Sequence, residues 1–284
     1  MKKMLVVFSI LVFGLFACGK GDKKGIEIVG SDTLLEMVQA EAEEYVKKTG
    51  TPVNVTGGGS GVGISKLLDG TCDIANASRS MKDKELTLAK EKGMEIFEVK
   101  VAIDAIAVII NPENPVKDLT NTQLGAIFKG EITNWKEVGG PDLKISLYGR
   151  QSSSGTFSYF RKKVLEKKDY SQEMKRMTGN AQIAEGIKND KAGIGYVGIG
   201  YVQGASGIKM IAVNGVMPDN QEKVLAGEYF ISRFLYQYVA SKPEGRVKDF
   251  LLFELSEKGQ EIVKETGFYP VGTEGAKKLN PFLY

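Results

Sequence analysis

Residues 26–56 read IEIVGSDTLLEMVQAEAEEYVKKTGTPVNVT, and this stretch decides the fold class. Ile26–Val29 is a short apolar strand. From Leu34 to Lys48, the residues Leu34, Val38, Ala42 and Tyr45 recur at helical spacing, so a helix with one apolar face follows. Val53–Thr56 is a second strand. The same alternation continues outward. Ile64–Leu68 is the apolar part of a short helix, Asp73–Ala75 a third strand, and Lys82–Lys92 a charged surface helix. Val101–Ile110 (VAIDAIAVII) is nearly all apolar, as a strand covered on both faces must be. Strands that alternate with helices indicate an α/β fold with largely parallel sheets.

Asn111–Pro115 (NPENP) is a turn or linker. Beyond it, helices are predicted at Asn121–Phe128 and Thr156–Lys167, and strands at Ile145–Tyr148 and Leu235–Val239. Ala192–Tyr201 (AGIGYVGIGY) is a glycine-rich strand and turn, and Val247–Thr266 is a closing helical region. The chain has 284 residues, enough for two domains at about 150 residues each.

Composition removes several chemistries. The chain has no histidine, which excludes Ser-His and Cys-His pairs, His-ligated zinc and imidazole acid–base catalysis. Acidic residues are too scattered to mark a metal site, and no cofactor is implied. A formal charge of +3 argues for neither nucleic acid nor an anionic membrane surface. Two cysteines cannot form a disulfide framework. Glycine is in excess, 34 residues or about 12% against a usual ~7%.

The first segment is an address. Lys2 and Lys3 precede an uncharged apolar run, Met4–Ala17. It is shorter than the ~20 residues a spanning helix needs and reads as a signal-peptide core. It ends in Leu15-Phe16-Ala17-Cys18, which resembles a bacterial lipobox. That resemblance implies cleavage after residue 17 and a lipid (diacylglyceryl, with palmitate) on Cys18. Residues 18–24 then form a flexible tether. Loss of the segment takes the formal charge from +3 to +1 and leaves Cys72 without a partner.

Four loops share one chemistry: Gly30-Ser31-Asp32-Thr33, Gly57–Gly63 (GGGSGVG), Asn76-Ala77-Ser78-Arg79 and Gly149–Thr156 (GRQSSSGT). Each follows a strand, and three run into a helix. A helix start presents unpaired N–H groups and partial positive charge, glycine allows close approach, and hydroxyls add donors. Singly, each loop is an ordinary cap or turn. Together, at strand ends in an α/β sheet, they describe an anion site. Only six of the 38 basic residues are arginine, and two of these, Arg79 and Arg150, lie inside such loops. The guanidinium fork suits a tetrahedral oxyanion, although each arginine also fits a structural ion pair. Rival motifs fail: Gly57–Gly63 lacks the Gly-Lys-Ser/Thr of a P-loop, and Val62 spoils Gly-x-Ser-x-Gly around Ser60.

These loops, with Asp73–Arg79 (DIANASR), Leu119–Gly140 (LTNTQLGAIFKGEITNWKEVGG) and Gly193–Tyr201 (GIGYVGIGY), resemble the phosphate-binding proteins of high-affinity phosphate ABC transporters, the PstS-like family. The resemblance spans nearly the whole mature chain. It implies a two-lobed periplasmic-binding-protein fold of type II, each lobe a mixed, largely parallel sheet flanked by helices, with two hinge crossovers. Lobe 1 is expected at 25–103 plus 232–284 and lobe 2 at 104–231. It further implies that Thr33, the Leu34 amide, Ser60, Gly61, Ser78, Arg150, Ser154, Gly155 and Thr156 hold phosphate, and the place of Arg79 in the third loop adds it to the expected ligand-binding residues. The implied partners are permease subunits of the transporter and, through the lipid anchor, a bacterial membrane on its extracytoplasmic side, periplasmic or cell-surface. The protein would act as a monomer that binds without catalysis. One position departs from the pattern: Arg79 stands where the best-known members carry an aspartate that accepts the proton of phosphate. Asp32 is the candidate substitute acceptor, and a capping role fits it equally. Sulfate, molybdate or a phosphate ester therefore stays open as ligand. A phosphoester hydrolase is disfavoured by the absence of histidine and of a metal cluster.

Overall fold

The computed structural model describes residues 25–202 and 204–284. The signal segment 1–17, Cys18 and the tether 18–24 lie outside the described residues.

The expected alternation is present. Strand β1 (Ile26–Gly30) leads to helix α1 (Leu35–Thr49), then β2 (Val53–Thr56), α2 (Ser60–Leu68), β3 (Ile74–Ala77) and α3 (Asp83–Glu91). Strand β1 lies between β2 and β3, parallel to both. Helix α1 buries Met37, Val38, Ala42 and Tyr45, and it stops at Gly50, whose φ of 68° suits a residue without Cβ.

Strand β4 (Phe97–Ile110) is the spine of the molecule. It is longer than its apolar run, and Ala105–Ile110 is fully buried. Its first part, Phe97–Ala105, pairs antiparallel with β10 (Ser232–Val239), and its last part, Ile106–Ile110, pairs antiparallel with β8 (Gly193–Gly198). The strand thus changes partners between Ala105 and Ile106. Two covered faces explain the unbroken apolar pattern. Each buried isoleucine contributes roughly 1.5–3 kcal/mol relative to exposure.

After β4 come β5 (Asp118–Leu119), α4 (Asn121–Lys129), β6 (Ser146–Arg150), α5 (Gly155–Lys163), β7 (Lys175–Met177), α6 (Asn180–Lys188), β8, β9 (Lys209–Val213) and α7 (Gln221–Leu225). Strand β6 lies parallel to both β7 and β8. The chain closes with β10, α8 (Gly245–Glu254), α9 (Glu257–Glu265), β11 (Tyr269–Pro270) and α10 (Thr273–Leu279). The sheet is parallel on both flanks and antiparallel at its centre, where β4 and β10 pass between them.

The tract Leu119–Gly140 is rich in helix punctuation. Thr120 caps α4, accepting from the Gln123 amide at 3.2 Å, while Gln123 Oε1 accepts from the Thr120 amide at 2.9 Å. Gly130 ends α4 with φ 80°. Trp135 is fully buried, and its indole N–H donates to the Ala192 carbonyl at 2.8 Å. It packs and does not face the loops.

Some boundaries differ from the sequence reading. The third strand is displaced to Ile74–Ala77. Helix α5 ends at Lys163, and Glu166 and Lys167 turn left-handed, with φ of 53° and 70°. The closing helical region is two helices, because Ser256 caps the second by accepting from the Gly259 amide at 3.3 Å.

Candidate functional site

Strand β1 ends at Gly30, and Ser31 to Leu34 turn into α1. Gly59 places Ser60 at the first position of α2. Strand β3 ends at Ala77, just before Ser78. Strand β6 ends at Arg150, and Ser154 caps α5 by accepting from the Phe157 amide at 3.3 Å. The four loops therefore meet where parallel strands end.

Their hydroxyls form a chain. Ser31 Oγ donates to Ser78 Oγ at 3.0 Å, Ser60 Oγ and Ser78 Oγ lie 3.3 Å apart, and Ser78 Oγ and Thr156 Oγ1 lie 3.5 Å apart. Thr33 Oγ1 and Thr156 Oγ1 complete it at 2.9 Å. All five residues are buried. Buried hydroxyls are costly without partners; here each meets another hydroxyl, and Ser31, Ser60 and Thr156 also accept from the Thr33 amide, the Ser78 amide and Arg233 Nη2 at 3.2, 3.0 and 2.9 Å, which leaves their own protons to turn toward a guest.

Helices α2 and α5 point their N-termini at this chain. Their first-turn amides, including those of Gly155 and Thr156, have no partner within the helix, and the two helix dipoles add partial positive charge. Gly155 is required by space alone: a Cβ there would stand 2.3 Å from Ser60 Oγ and 2.6 Å from Ser78 Oγ.

Two arginines flank the hydroxyls. The Arg150 side chain is 1% exposed. One of its nitrogens, Nη2, donates to Asp32 Oδ2 and to the Thr178 carbonyl, the latter at 2.7 Å. Its Nε and Nη1 are buried with no hydrogen-bond partner. The Arg150 backbone is fixed by Tyr196 Oη, 3.3 Å from its amide, and Tyr196 in turn stacks on Phe160 of α5 at 4.1 Å between ring centres. Asp32 is held on its other oxygen by the Gly58 amide at 2.9 Å.

The second arginine is Arg233, which the sequence reading did not select. Arg233 and Asp104 are opposite one another in the β10–β4 ladder, within two residues of the point where β4 changes partners. Arg233 Nε and Nη2 donate to Asp104 Oδ2 at 2.9 and 2.7 Å. Nη1 donates to the Ser78 carbonyl at 2.8 Å, and Nη2 also to Thr156 Oγ1 at 2.9 Å. Asp104 Oδ1 accepts from the Ile199 amide at 3.0 Å. Its one sequence signal was the lone charge in VAIDAIAVII. Ser31 was also missed as a site residue, although it stood inside a quoted loop.

Thr33, Ser60, Ser78, Arg150, Ser154, Gly155 and Thr156 are thus gathered in one place. Arg79 is not. Its Nη1 and Nη2 each meet an oxygen of Glu85 at 2.8 Å, and Nη1 also donates to the Ser80 carbonyl. The Leu34 amide donates to the Ser31 carbonyl at 3.1 Å, and the Gly61 amide to the Ser153 carbonyl at 3.0 Å. Polar contacts cross between the two flanks of the sheet here: Thr33 to Thr156, Asp32 to Arg150, Gly61 to Ser153, and Tyr201 Oη to the Asp32 carbonyl.

Comparison with known proteins places this geometry in context. Residues 19–258 match the family model described as PBP superfamily domain. The phosphate-binding protein PstS of Pseudomonas aeruginosa is 33% identical over 281 residues, covering 91% of this chain and 86% of that protein. The phosphate-binding protein PstS of Borreliella burgdorferi is 33% identical, covering 96% of this chain and 100% of that one. A Clostridium perfringens structure solved with bound phosphate superposes with a TM-score of 0.80 at 32% identity, over 87% of this chain and 100% of that chain.

Proposed function

The chain belongs to the PBP superfamily and, within it, to the family of the phosphate-binding protein PstS, and from that premise we propose that it binds one inorganic phosphate ion between two lobes and delivers it to an ABC transporter permease. The carrying observation is Arg150. A buried guanidinium with two unpaired N–H groups is costly, and an oxyanion seated on Nε and Nη1 removes that cost.

In this reading the hydroxyls of Thr33, Ser60, Ser78 and Thr156 and the amides of Gly155 and Thr156 surround the ion. Ser154 holds the start of α5. Leu34 and Gly61 shape the loops, since their amides are already engaged. Asp32 positions Arg150, and Arg233 draws Thr156 and the Ser78 loop toward the hinge. Preorganised donors reduce the ordering cost of binding, and enclosure strengthens each contact.

Lobe 1 is proposed as residues 25–103 plus 232–284 and lobe 2 as 104–231. The partner exchange of β4 and the start of β10 at Ser232 support hinges at those crossings. The protein would work as a monomer, anchored through lipid on Cys18 to a bacterial membrane on its extracytoplasmic side, periplasmic or cell-surface, with residues 18–24 as tether. Replacing Cys18 by alanine would then release it from the membrane fraction. Binding, not catalysis, is the activity.

A second reading, binding of another tetrahedral oxyanion such as sulfate, is favoured by one observation. Asp32 and Asp104 are each already paired with an arginine, so among the described site residues the ligand's proton meets no unpaired carboxylate. Calorimetric titration with phosphate and with sulfate separates the two. Tight phosphate binding with weak sulfate binding supports the first reading, equal affinity supports the second, and no phosphate heat at micromolar protein sinks the first.

A further inference from the structure

The loops that build the hydroxyl chain have an outer side. Ser78 is followed by Arg79, Ser80 and Lys82, and Thr156 by Tyr159 and Lys162 on α5. These residues, with Lys167, wall a cavity of about 400 Å³. Arg79 to Lys82 follow the β3 strand of one flank, whereas Tyr159 to Lys167 follow the β6 strand of the other. The cavity is therefore a mouth between the flanks, back to back with the hydroxyls.

Its charge is one-sided. Arg79, Lys82, Lys162 and Lys167 line it, and Asp83 is the one acidic lining residue. Glu85 is engaged by Arg79. Partial burial and then the Arg79 guanidinium push the Lys82 ammonium below its usual value, against the pull of Glu85. Arg79 Nε is buried without a partner. Two successive residues other than glycine, Glu166 and Lys167, adopt the left-handed conformation that L-residues avoid. That turn, held by the Lys167 amide on the Arg161 carbonyl at 2.9 Å, delivers Lys167 to the cavity wall. Tyr159 joins mouth and interior. Its ring lies 5.4 Å from the Arg233 guanidinium carbon, and its hydroxyl donates to the Ser232 carbonyl at the β10 crossing.

We propose that this cavity is an entrance site, in which an incoming phosphate oxyanion docks on Lys82, Lys162 and Lys167, beside the Glu85-paired Arg79, before it reaches the hydroxyls. The choice of side chains fits a brief stay. Exposed lysine ammoniums are strongly hydrated point charges that attract an anion through water and release it readily. The enclosed arginine and hydroxyls behind them suit a long one. The identity of the anion rests on the phosphate reading above; the existence of the site does not.

Two measurements on the full chain test it. The first is stopped-flow association of inorganic phosphate, followed by intrinsic tyrosine and tryptophan fluorescence, in wild type and in Lys162→Gln/Lys167→Gln. Removal of two exposed charges should lower the association rate about 3–10-fold at low salt, flatten its salt dependence and leave the dissociation rate within about twofold. An unchanged association rate and salt slope would overturn the proposal. The second uses Arg150→Ala, which disables the interior. Millimolar inorganic phosphate should shift backbone amide resonances of residues 79–83 and 158–167. Their silence would overturn the entrance site, whereas shifts there in a protein whose wild type never binds phosphate tightly would retain it and remove the phosphate reading instead.

Discussion

Arg79 lies just after strand β3 and Arg150 is the last residue of strand β6, both next to serine-rich loops, yet the fold uses them differently. The Arg79 fork is closed by Glu85, six residues on, which the first turn of α3 carries back to it; the Lys82 amide donates to the same carboxylate at 2.7 Å. Arg150 has no such neighbour. Its carboxylate, Asp32, comes from 118 residues away and occupies one nitrogen, leaving two buried N–H groups. An arginine whose two terminal nitrogens are both paired within its own segment, with Nε alone left over, stabilises that segment. An arginine half-satisfied from the opposite flank, beside helix N-termini and hydroxyls, is set to receive an anion.

The largest expected effect breaks this contrast if it is wrong. Arg150→Ala should weaken phosphate binding at least ~100-fold, roughly 3–5 kcal/mol, because it removes the fork and strands Asp32; calorimetry reads it. Gly155→Ala should come next, at about 10–100-fold, since its methyl group overlaps Ser60 and Ser78 Oγ and displaces the α5 terminus. Arg79→Gln should change phosphate affinity less than about 10-fold while costing about 3 kcal/mol of folding stability, as Glu85 is left largely buried without its counter-charge. If Arg79→Gln and Arg150→Ala weaken binding equally, the distinction between them fails.

The smallest effect sharpens the same point from the other side, because buried ionisable groups also occur away from the site. Glu41 and Glu254 are fully buried together and share a carboxyl–carboxyl hydrogen bond, and Gln237 Nε2 donates to Glu254 Oε1 at 2.9 Å. Burial pushes both carboxyls up, Glu254 to about 8, and the charge of Glu254 adds to the rise at Glu41. Folding thus favours their acid forms. Stability from the pair is full below the ordinary carboxylate value of 4.5 and is lost as pH rises through about 8. Glu254→Gln should raise the unfolding midpoint at pH 8, by roughly 1–2 kcal/mol in stability, and leave phosphate affinity unchanged. A loss of affinity would show that the burial of polar groups here does not discriminate the site.

Much of this was legible in the sequence. The strand–helix alternation was plain because buried strands and amphipathic helices differ in apolar period, and the hydroxyl loops were plain because serines and glycines cluster after strands. The fate of Arg79 was not: Glu85 lay in the adjacent helix, but nothing in composition chooses between a carboxylate and an anion. The Asp104–Arg233 pair was hidden by 129 residues of separation; only the β4–β10 register makes them neighbours. Strand β7 (KRM) escaped because it is three residues long and mostly charged, and helix α6 (NAQIAEGIK) because its apolar face rests on Ile183 and Ile187 alone.

The most direct test of the central claim is a crystal structure of the protein grown with phosphate. The ion should lie among Thr33, Ser60, Ser78 and Thr156, with its oxygens about 2.7–3.2 Å from Arg150 Nε and Nη1. A phosphate bound elsewhere, or one in the cleft with those two nitrogens turned away from it, would contradict the account.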